Sequence, residues 1–400
     1  MNTTHVLISG GGIAGNSLAL QLLRAGIRVT VVERAATPRP GGQAVDLRGP
    51  SREVAERMGL MPGIRKLQLH EVGWKYLDDK GRTYARMSAE MFGGEGPAAE
   101  IEIQRGDLND VLLELLREQG GELDYRYGEW IEAIAQDADG VDVTFASGRT
   151  ERFDMLVGAD GVHSATRRLV FGPEDRFATH LGGYMAFFTL PTPADLEPGW
   201  MSGVGIPSGF FGIRPDRDPA SAKAIITLRA DADPALYRDT AAQQRFIRER
   251  LTGAPWKADD IVAAMDHAPD FYFDELARID MPSLSAGRVT LLGDAGFCGS
   301  PMTGMGTAMA IVGAYVLAGE LATTPGDVPG ALARYEERIT PFLDKAKELP
   351  GGGIKMMCPK SKTGVRLGRV SMRLMTSRAF RPLMEKMVAG QTDDFVLPSY

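Results

Sequence analysis

Apolar and polar positions in the first 33 residues follow the order strand, turn, helix, strand. Residues 6–8 are a continuous apolar run, and residues 10–15 are rich in glycine. Residues 16–25 then repeat apolar side chains at helical spacing, and residues 29–33 resume an apolar run. This order predicts the βαβ unit of a doubly wound α/β sheet.

The pattern changes between about residues 182 and 284. Residues 184–190, 209–213 and 224–228 are predicted strands of an antiparallel sheet, separated by turns rich in proline and aspartate. An apolar strand at 289–292 then returns to the first pattern. We therefore predict an α/β protein with a discontinuous Rossmann-like domain (1–180 and 285–345) and an inserted mixed or antiparallel-sheet domain (181–284).

Helical patterns dominate the last third of the chain. Residues 307–322 form a long apolar stretch, and residues 328–348 predict another helix. A Gly-Gly-Gly break follows, and a basic, Met-rich helix is predicted over residues 362–388. Residues 346–400 are accordingly a separate helical segment.

The small residues of the first turn have separate tasks. Gly10 makes the turn, Gly12 lets the backbone approach a pyrophosphate, and Gly15 lets the helix pack closely. Ala14 belongs to the same turn. The start of the helix adds unpaired N–H groups and a positive dipole end, which favour a phosphate. Glu33, 18 residues after Gly15, lies where an acid binds the adenosine ribose of a dinucleotide.

A second glycine-rich signature follows the late strand. Gly293 and Asp294 come directly after it, and Pro301, Gly304 and Gly306 precede the apolar helix. Two such signatures, far apart in the chain, are typical of one extended dinucleotide that is held at its pyrophosphate and along its ribityl arm. They predict tightly but noncovalently bound FAD.

Two further sites lie between these signatures. Arg105 stands just ahead of a predicted helix, near a second phosphate or the ribityl chain, and Asp160 follows a buried strand in a tight Asp-Gly turn. A third glycine pattern at 94–99 contains a proline and follows no buried strand, so it is interpreted as a solvated loop.

Charge and composition exclude several classes of protein. A net charge of -7 and a pI near 5.5 argue against nucleic acid as the partner. Two distant cysteines, Cys298 and Cys358, predict neither a disulfide framework nor a metal site. With no room for a signal peptide and no apolar stretch predicted to span a bilayer, a cytoplasmic protein without stable membrane insertion is expected.

The order and spacing of these motifs over about the first 340 residues resemble the FAD-dependent monooxygenases of the p-hydroxybenzoate hydroxylase type. The resemblance is strongest to single-component aromatic and polyketide hydroxylases, including the tetracycline-inactivating enzymes. Residues 41–49 resemble their loop beside the isoalloxazine ring. The C-terminal segment, 346–400, is similar to the helix that braces the two domains in the tetracycline-inactivating group.

The resemblance implies roles for the cofactor-binding residues. Gly12, Gly15 and Glu33 would hold the adenosine half of FAD, together with Gly10, Ala14 and Arg34. Arg105 would contact the pyrophosphate or ribityl side, and Asp294 a ribityl hydroxyl or phosphate. The assigned cofactor residues also include Asp160 and Gly293.

The resemblance also implies the chemistry. NADPH or NADH would reduce FAD transiently in the shared cleft, since one dinucleotide fingerprint is present. O₂ would add at flavin C4a, and the hydroperoxide would pass an oxygen to an aromatic or polyketide-like small molecule. Gly304, Met305 and Gly306 would offer backbone N–H groups to the flavin edge, and Pro301 would cap the ring. Hydroxylation, Baeyer–Villiger oxidation and epoxidation fit these motifs alike.

Substrate contacts and competing functions remain open at the level of sequence. Phe187, Phe211 and Phe297 are candidate substrate residues. Cys298 is interpreted as a packed thiol rather than a redox or covalent group. The alternatives are an FAD-dependent dehydrogenase or reductase of the same fold, and a flavoprotein that only sequesters a ligand. A monomer or weak homodimer is expected.

Overall fold

Strands and helices alternate through the residues that the computed structural model describes, which are 4–38, 41–88, 101–349, 351–377, 380 and 395–400. The strands are β1 (His5–Ser9), β2 (Arg28–Glu33), β3 (Ala44–Asp46), β4 (Gly73–Leu77), β5 (Thr83–Ser88), β6 (Glu102–Gln104), β7 (Leu123–Tyr127), β8 (Ile131–Gln136), β9 (Val141–Phe145), β10 (Thr150–Phe153), β11 (Met155–Gly158), β12 (Ala178–Pro191), β13 (Trp200–Ile206), β14 (Gly209–Pro215), β15 (Ser221–Arg229), β16 (Tyr272–Ile279), β17 (Ser285–Ala286) and β18 (Val289–Leu291). The helices are α1 (Ile13–Arg24), α2 (Pro50–Arg57), α3 (Met61–Leu67), α4 (Arg105–Gln119), α5 (Ala165–Val170), α6 (Thr240–Leu251), α7 (Ala258–Met265), α8 (Asp294–Phe297), α9 (Gly306–Thr323), α10 (Val328–Ala346), α11 (Gly353–Met357) and α12 (Lys362–Met375).

The first large sheet has the strand order β17-β18-β11-β1-β2-β7. Strand β1 is parallel to both β2 and β11, and β18 is parallel to β11. Because parallel strands end at the same edge, the turns after β1, β11 and β18 meet there, next to the end of β2. The chain leaves β1 for β2 on one side and returns as β11 on the other, which is the topological switch point where α/β proteins bind ligands. The predicted Rossmann-like α/β fold is confirmed.

One apolar core fixes this sheet against its helices. It joins α1, α4, α9 and α10 with β1 and β2. Helix α9 is long and apolar enough to cross a membrane, but 83% of it is buried inside the protein. Burial on all sides explains why its sequence lacks a polar face.

The second large sheet has the order β16-β12-β15-β14-β13-β4-β5. Helices α6 and α7 cover one of its faces with an apolar core. Strands β4 and β5 come from the early part of the chain, and β4 pairs in parallel with β13. The predicted cofactor domain is therefore corrected. It does not include all of residues 1–180, since residues 73–88 belong to the second sheet.

Element boundaries differ from the prediction mainly at helix ends. Helix α1 begins at Ile13 rather than residue 16, because Gly12 is its N-cap and the glycine turn supplies its first residues. Helix α12 spans Lys362–Met375, whereas the prediction was 362–388. Residues 381–388 lie outside the described part. The predicted loop at 94–99 also lies outside it.

The C-terminal segment contacts the second large sheet and the core of the first. Arg369 of α12 donates to Asp79 in the β4–β5 hairpin. Leu397 packs into the first core, and the Pro398 carbonyl accepts from the Tyr315 hydroxyl at 3.0 Å. These contacts are those expected of a segment that braces two domains.

Candidate functional site

Glu33 closes the glycine turn after β1. The Gly11 N–H donates to one oxygen of its carboxylate at 2.8 Å, and the Ala35 N–H donates to the other at 2.7 Å. The Gly10 N–H donates to the Val32 carbonyl at 2.8 Å. Each carboxylate oxygen retains acceptor capacity, so Glu33 can order the turn and still accept from a ribose hydroxyl. Arg34, the next residue, is exposed.

The glycines of the turn differ in what a side chain would meet. A Cβ on Gly15 would lie 2.0 Å from the Gly10 carbonyl oxygen, and one on Gly10 would lie 2.3 Å from the Ala159 oxygen. The fold therefore requires glycine at both Gly10 and Gly15. A Cβ on Gly12 would approach only the Arg105 guanidinium, at 3.6 Å. Gly12 therefore leaves space for a ligand at the beginning of α1, where N–H groups favour phosphate.

Arg105 is held by the loop at residues 41–43. Its backbone N–H donates to the Gln43 carbonyl at 3.0 Å, and the Gly106 N–H donates to the Gly41 carbonyl at 2.8 Å. The Arg105 side chain is exposed and faces the position of Gly12. A guanidinium beside a helix N-terminus suits the pyrophosphate of FAD.

A buried amide pair behind the turn was not predicted from the sequence. The Asn16 amide donates to the Gly11 carbonyl at 2.8 Å and to the Asn109 side-chain oxygen at 2.9 Å. The Tyr125 hydroxyl donates to the Asn16 oxygen at 3.1 Å. These bonds connect α1, α4 and β7, so they hold the turn rigid. The sequence could have indicated this pair through Asn109, which lies four residues after Arg105 on the same helix.

Asp160 acts locally in the structure. Its carboxylate accepts from the Thr166 N–H at 2.9 Å and from the Thr166 hydroxyl at 3.1 Å, which caps α5. The same turn carries Ala159, which borders Gly10. Asp160 thus fixes the strand end beside the glycine turn, while its contact with the cofactor remains a prediction.

The two glycine-rich signatures meet at Ala14. A Cβ on Gly293, whose φ is +64°, would lie 2.9 Å from the Ala14 Cβ. Asp294 follows, and a Cβ on Gly306 would lie 3.9 Å from its carboxylate. Desolvation raises the pKa of Asp294, and the charge of Arg105 opposes that rise.

The segment before α9 has an unusual backbone. Ser300 has a φ of +75°, which is rare for a residue with a side chain, and Gly304 is left-handed at +67°. Left-handed conformations at non-glycine residues concentrate at functional sites. Pro301 and Gly304 are exposed, and Gly306 begins the long helix α9. Of the residues in this segment, Gly306 lies beside Asp294, and Met305 packs partly buried against the first core.

The three candidate substrate residues are all buried, but in different places. Phe187 lies opposite Tyr272 on the sheet face away from α6 and α7, and the two rings contact each other. Phe211 is fully buried on the helix-covered face, against Trp256. Phe297 is fully buried in the first core. The assignments of Phe211 and Phe297 as substrate contacts are therefore corrected, because each ring is fully buried in a hydrophobic core.

His163 links the two large sheets. Its ring nitrogens contact Glu174 at 2.9 Å and Asp274 at 3.1 Å, and the Tyr272 hydroxyl donates to Asp274 at 2.9 Å. These two carboxylates raise the pKa of His163 to about 10. The imidazole is thus a charged cross-link at neutral pH rather than a catalytic base.

Cys298 packs as a small buried thiol. Desolvation raises its pKa well above the ordinary value, and its sulfur lies 3.7 Å from the Ala277 carbonyl oxygen. A thiol that stays protonated is a poor nucleophile, which agrees with a packing role.

Replacing Asp294 by Ala is expected to weaken FAD binding about 10- to 150-fold, since a charge-assisted hydrogen bond contributes about 1.5–3 kcal/mol. Titration of the protein with FAD, followed by flavin fluorescence, measures the dissociation constant. Asp142→Ala is the control, because Asp142 pairs with Arg152 in the separate β8–β10 sheet. Equal affinities of the two variants would show that Asp294 does not bind the cofactor.

Comparisons with known proteins agree with this geometry. The family model described as FAD binding domain matches residues 3–348. A flavin-dependent monooxygenase from an unknown prokaryotic organism is 36% identical, with 86% of this chain and 87% of that protein covered. The FAD-dependent monooxygenase asL6 of Sarocladium schorii is 32% identical over 100% of this chain and 98% of its own. The crystal structure of tetracycline destructase Tet(55) is 32% identical, covers 100% of this chain and 99% of its own, and superposes with a TM-score of 0.82.

Proposed function

This chain belongs to the FAD-binding-domain family of flavin-dependent monooxygenases, and we propose that it is a single-component hydroxylase of a hydrophobic aromatic or polyketide-like small molecule. NADPH or NADH is the proposed reductant and O₂ the oxidant. The observation that supports this most is the meeting of both glycine-rich signatures at Ala14, beside Gly12 and Asp294. That arrangement fits one extended FAD.

Bound FAD would supply the redox chemistry, by accepting two electrons and activating O₂. The residues of this chain bind and orient it. Gly12 and Arg105 would receive the pyrophosphate, and Glu33 the adenosine ribose. The first N–H groups of α9, at Gly306, would stabilise negative charge that develops on the ring.

The substrate would lie against the sheet face that carries Phe187. Tyr76, Phe210 and Tyr272 occupy the same face, and Tyr76 and Phe210 contact each other. Met302, next to Pro301, packs in the cluster that contains Phe210. An aromatic and methionine-lined wall opposite the flavin segment favours flat, apolar molecules. Because the similar Tet(55) is a tetracycline destructase, tetracyclines are proposed as one candidate group.

We expect a true substrate to accelerate NAD(P)H oxidation at least about tenfold, or about 1.4 kcal/mol in activation free energy. Reduced flavin formed without substrate would only waste reductant as hydrogen peroxide. The measurement is NADH and NADPH consumption with phenols, polyketides and tetracyclines. If neither nucleotide reduces the flavin with any candidate, while an electron-transfer protein does, the single-component assignment is wrong.

A further inference from the structure

Three carboxyl side chains, those of Asp46, Glu71 and Glu102, meet beside strand β3. Asp46 on β3 lies directly opposite Glu102 on β6. Glu71 follows Leu69, whose N–H donates to the Glu102 carbonyl at 2.7 Å. The Glu71 side chain is 4% exposed and Glu102 is equally buried. Like charges in directly opposed strand positions repel, so three ionised carboxylates would destabilise this contact.

The charges around this triad balance when one of its three carboxyl groups is protonated. Arg48 lies 2.5 Å from Asp46, and Arg214 lies 3.9 Å from Glu71. Two guanidinium groups balance two carboxylates, and the third carboxyl stays neutral if it keeps its proton. Burial raises the pKa of Asp46 to about 7 and that of Glu102 to about 8, and it raises the pKa of Glu71 as well.

Several polar atoms here have no hydrogen-bond partner within the described residues. They include Nε of Arg214 and, unless a proton lies between the facing carboxyl groups, both carboxylate oxygens of Glu71 and Oε2 of Glu102. A cavity of about 240 Å³, lined by Glu71, Arg214 and His70 among others, adjoins them. Buried polar groups are rarely left unsatisfied, and this volume admits several water molecules at about 30 Å³ each. The triad is therefore suited to exchange protons with water.

The chain connects the triad to the loop that supports Arg105. Asp46 is three residues beyond Gln43, whose carbonyl accepts from the Arg105 N–H. Arg105 in turn faces Gly12. The three carboxyl groups thus lie between this cavity and the loop that supports the proposed FAD site.

We propose that Asp46, Glu102 and Glu71 share one exchangeable proton and pass it between the cavity and the cofactor loop. This role rests on the proposed function. Hydroxylation of a substrate S–H follows S–H + O₂ + NAD(P)H + H⁺ → S–OH + NAD(P)⁺ + H₂O. NAD(P)H gives two electrons, one oxygen atom enters the substrate, and the other leaves as water. The triad supplies the one proton consumed in each turnover.

The shared proton is tested first on the protein as purified. Infrared spectroscopy at pH 7 should show a protonated-carboxyl band that is lost in Glu102→Gln. Because the folded-state pKa values of Asp46 and Glu102 are raised, their contribution to stability is present at low pH and is lost as pH rises towards 8. Glu102→Gln should reduce this loss. An unchanged band together with an unchanged pH dependence of unfolding would overturn the proposal.

The proton supply is tested on the FAD-loaded enzyme. Glu102→Gln and, as a second variant, Glu71→Gln should lower kcat at pH 8 at least about tenfold with KM unchanged, since a positioned proton donor contributes about 10²–10⁴-fold. Glu320→Gln is the control, because Glu320 is a buried carboxylate that pairs with Arg334 and Arg338 at the far end of α9. A pH–rate profile identical to that of the wild type overturns the proton role. Absence of any hydroxylation by the wild type overturns the proposed function instead, and the infrared band still decides whether the shared proton exists.

Discussion

Replacing Gly12 by Val is expected to raise the dissociation constant for FAD at least about 100-fold, or about 2.7 kcal/mol, while the protein still folds. The backbone of Gly12 has φ -87° and ψ -170°, which a β-branched residue adopts without strain. Its Cβ would meet only the Arg105 guanidinium, at 3.6 Å. The added side chain therefore occupies the space of the pyrophosphate rather than space needed by the fold.

Gly15→Val gives the matched comparison, because both positions lie in the same turn. A Cβ at Gly15 would lie 2.0 Å from the Gly10 carbonyl oxygen, so this variant should lose thermal stability or fail to fold. Thermal unfolding and FAD titration on both variants separate the two effects. A Gly12→Val protein that binds FAD like the wild type would mean that the pyrophosphate lies elsewhere.

Local patterns explain why the first sheet and its turns were predictable. The turn after β1 and the segment around Gly293 each combine a strand, glycines and a helix within a few residues, so sequence alone carries the signal. The register that brings Gly293 against Ala14 depends on β11 pairing with both β1 and β18. That pairing joins strands from distant parts of the chain, so the sequence pattern did not predict it.

Long-range pairing explains what the sequence did not predict. Strand β4 joins β13 although more than a hundred residues separate them. Alternation along a strand shows that Phe210 and Phe211 face opposite sides, but not which side is the cleft. Asp46, Glu71 and Glu102 lie far apart in the chain, and only Asp46 belongs to a recognised motif, so only the folded chain shows that they meet.

As a proposed monooxygenase, this protein inserts one atom of O₂ into an organic substrate. The most direct measurement is product mass after turnover under ¹⁸O₂ in ordinary water, with a substrate found by NAD(P)H consumption. A product heavier than the substrate by one ¹⁸O atom is expected, with no label when ¹⁸O is supplied only as water. A product that has lost hydrogen and carries no oxygen from O₂ would rule out the monooxygenase reaction and indicate a dehydrogenase.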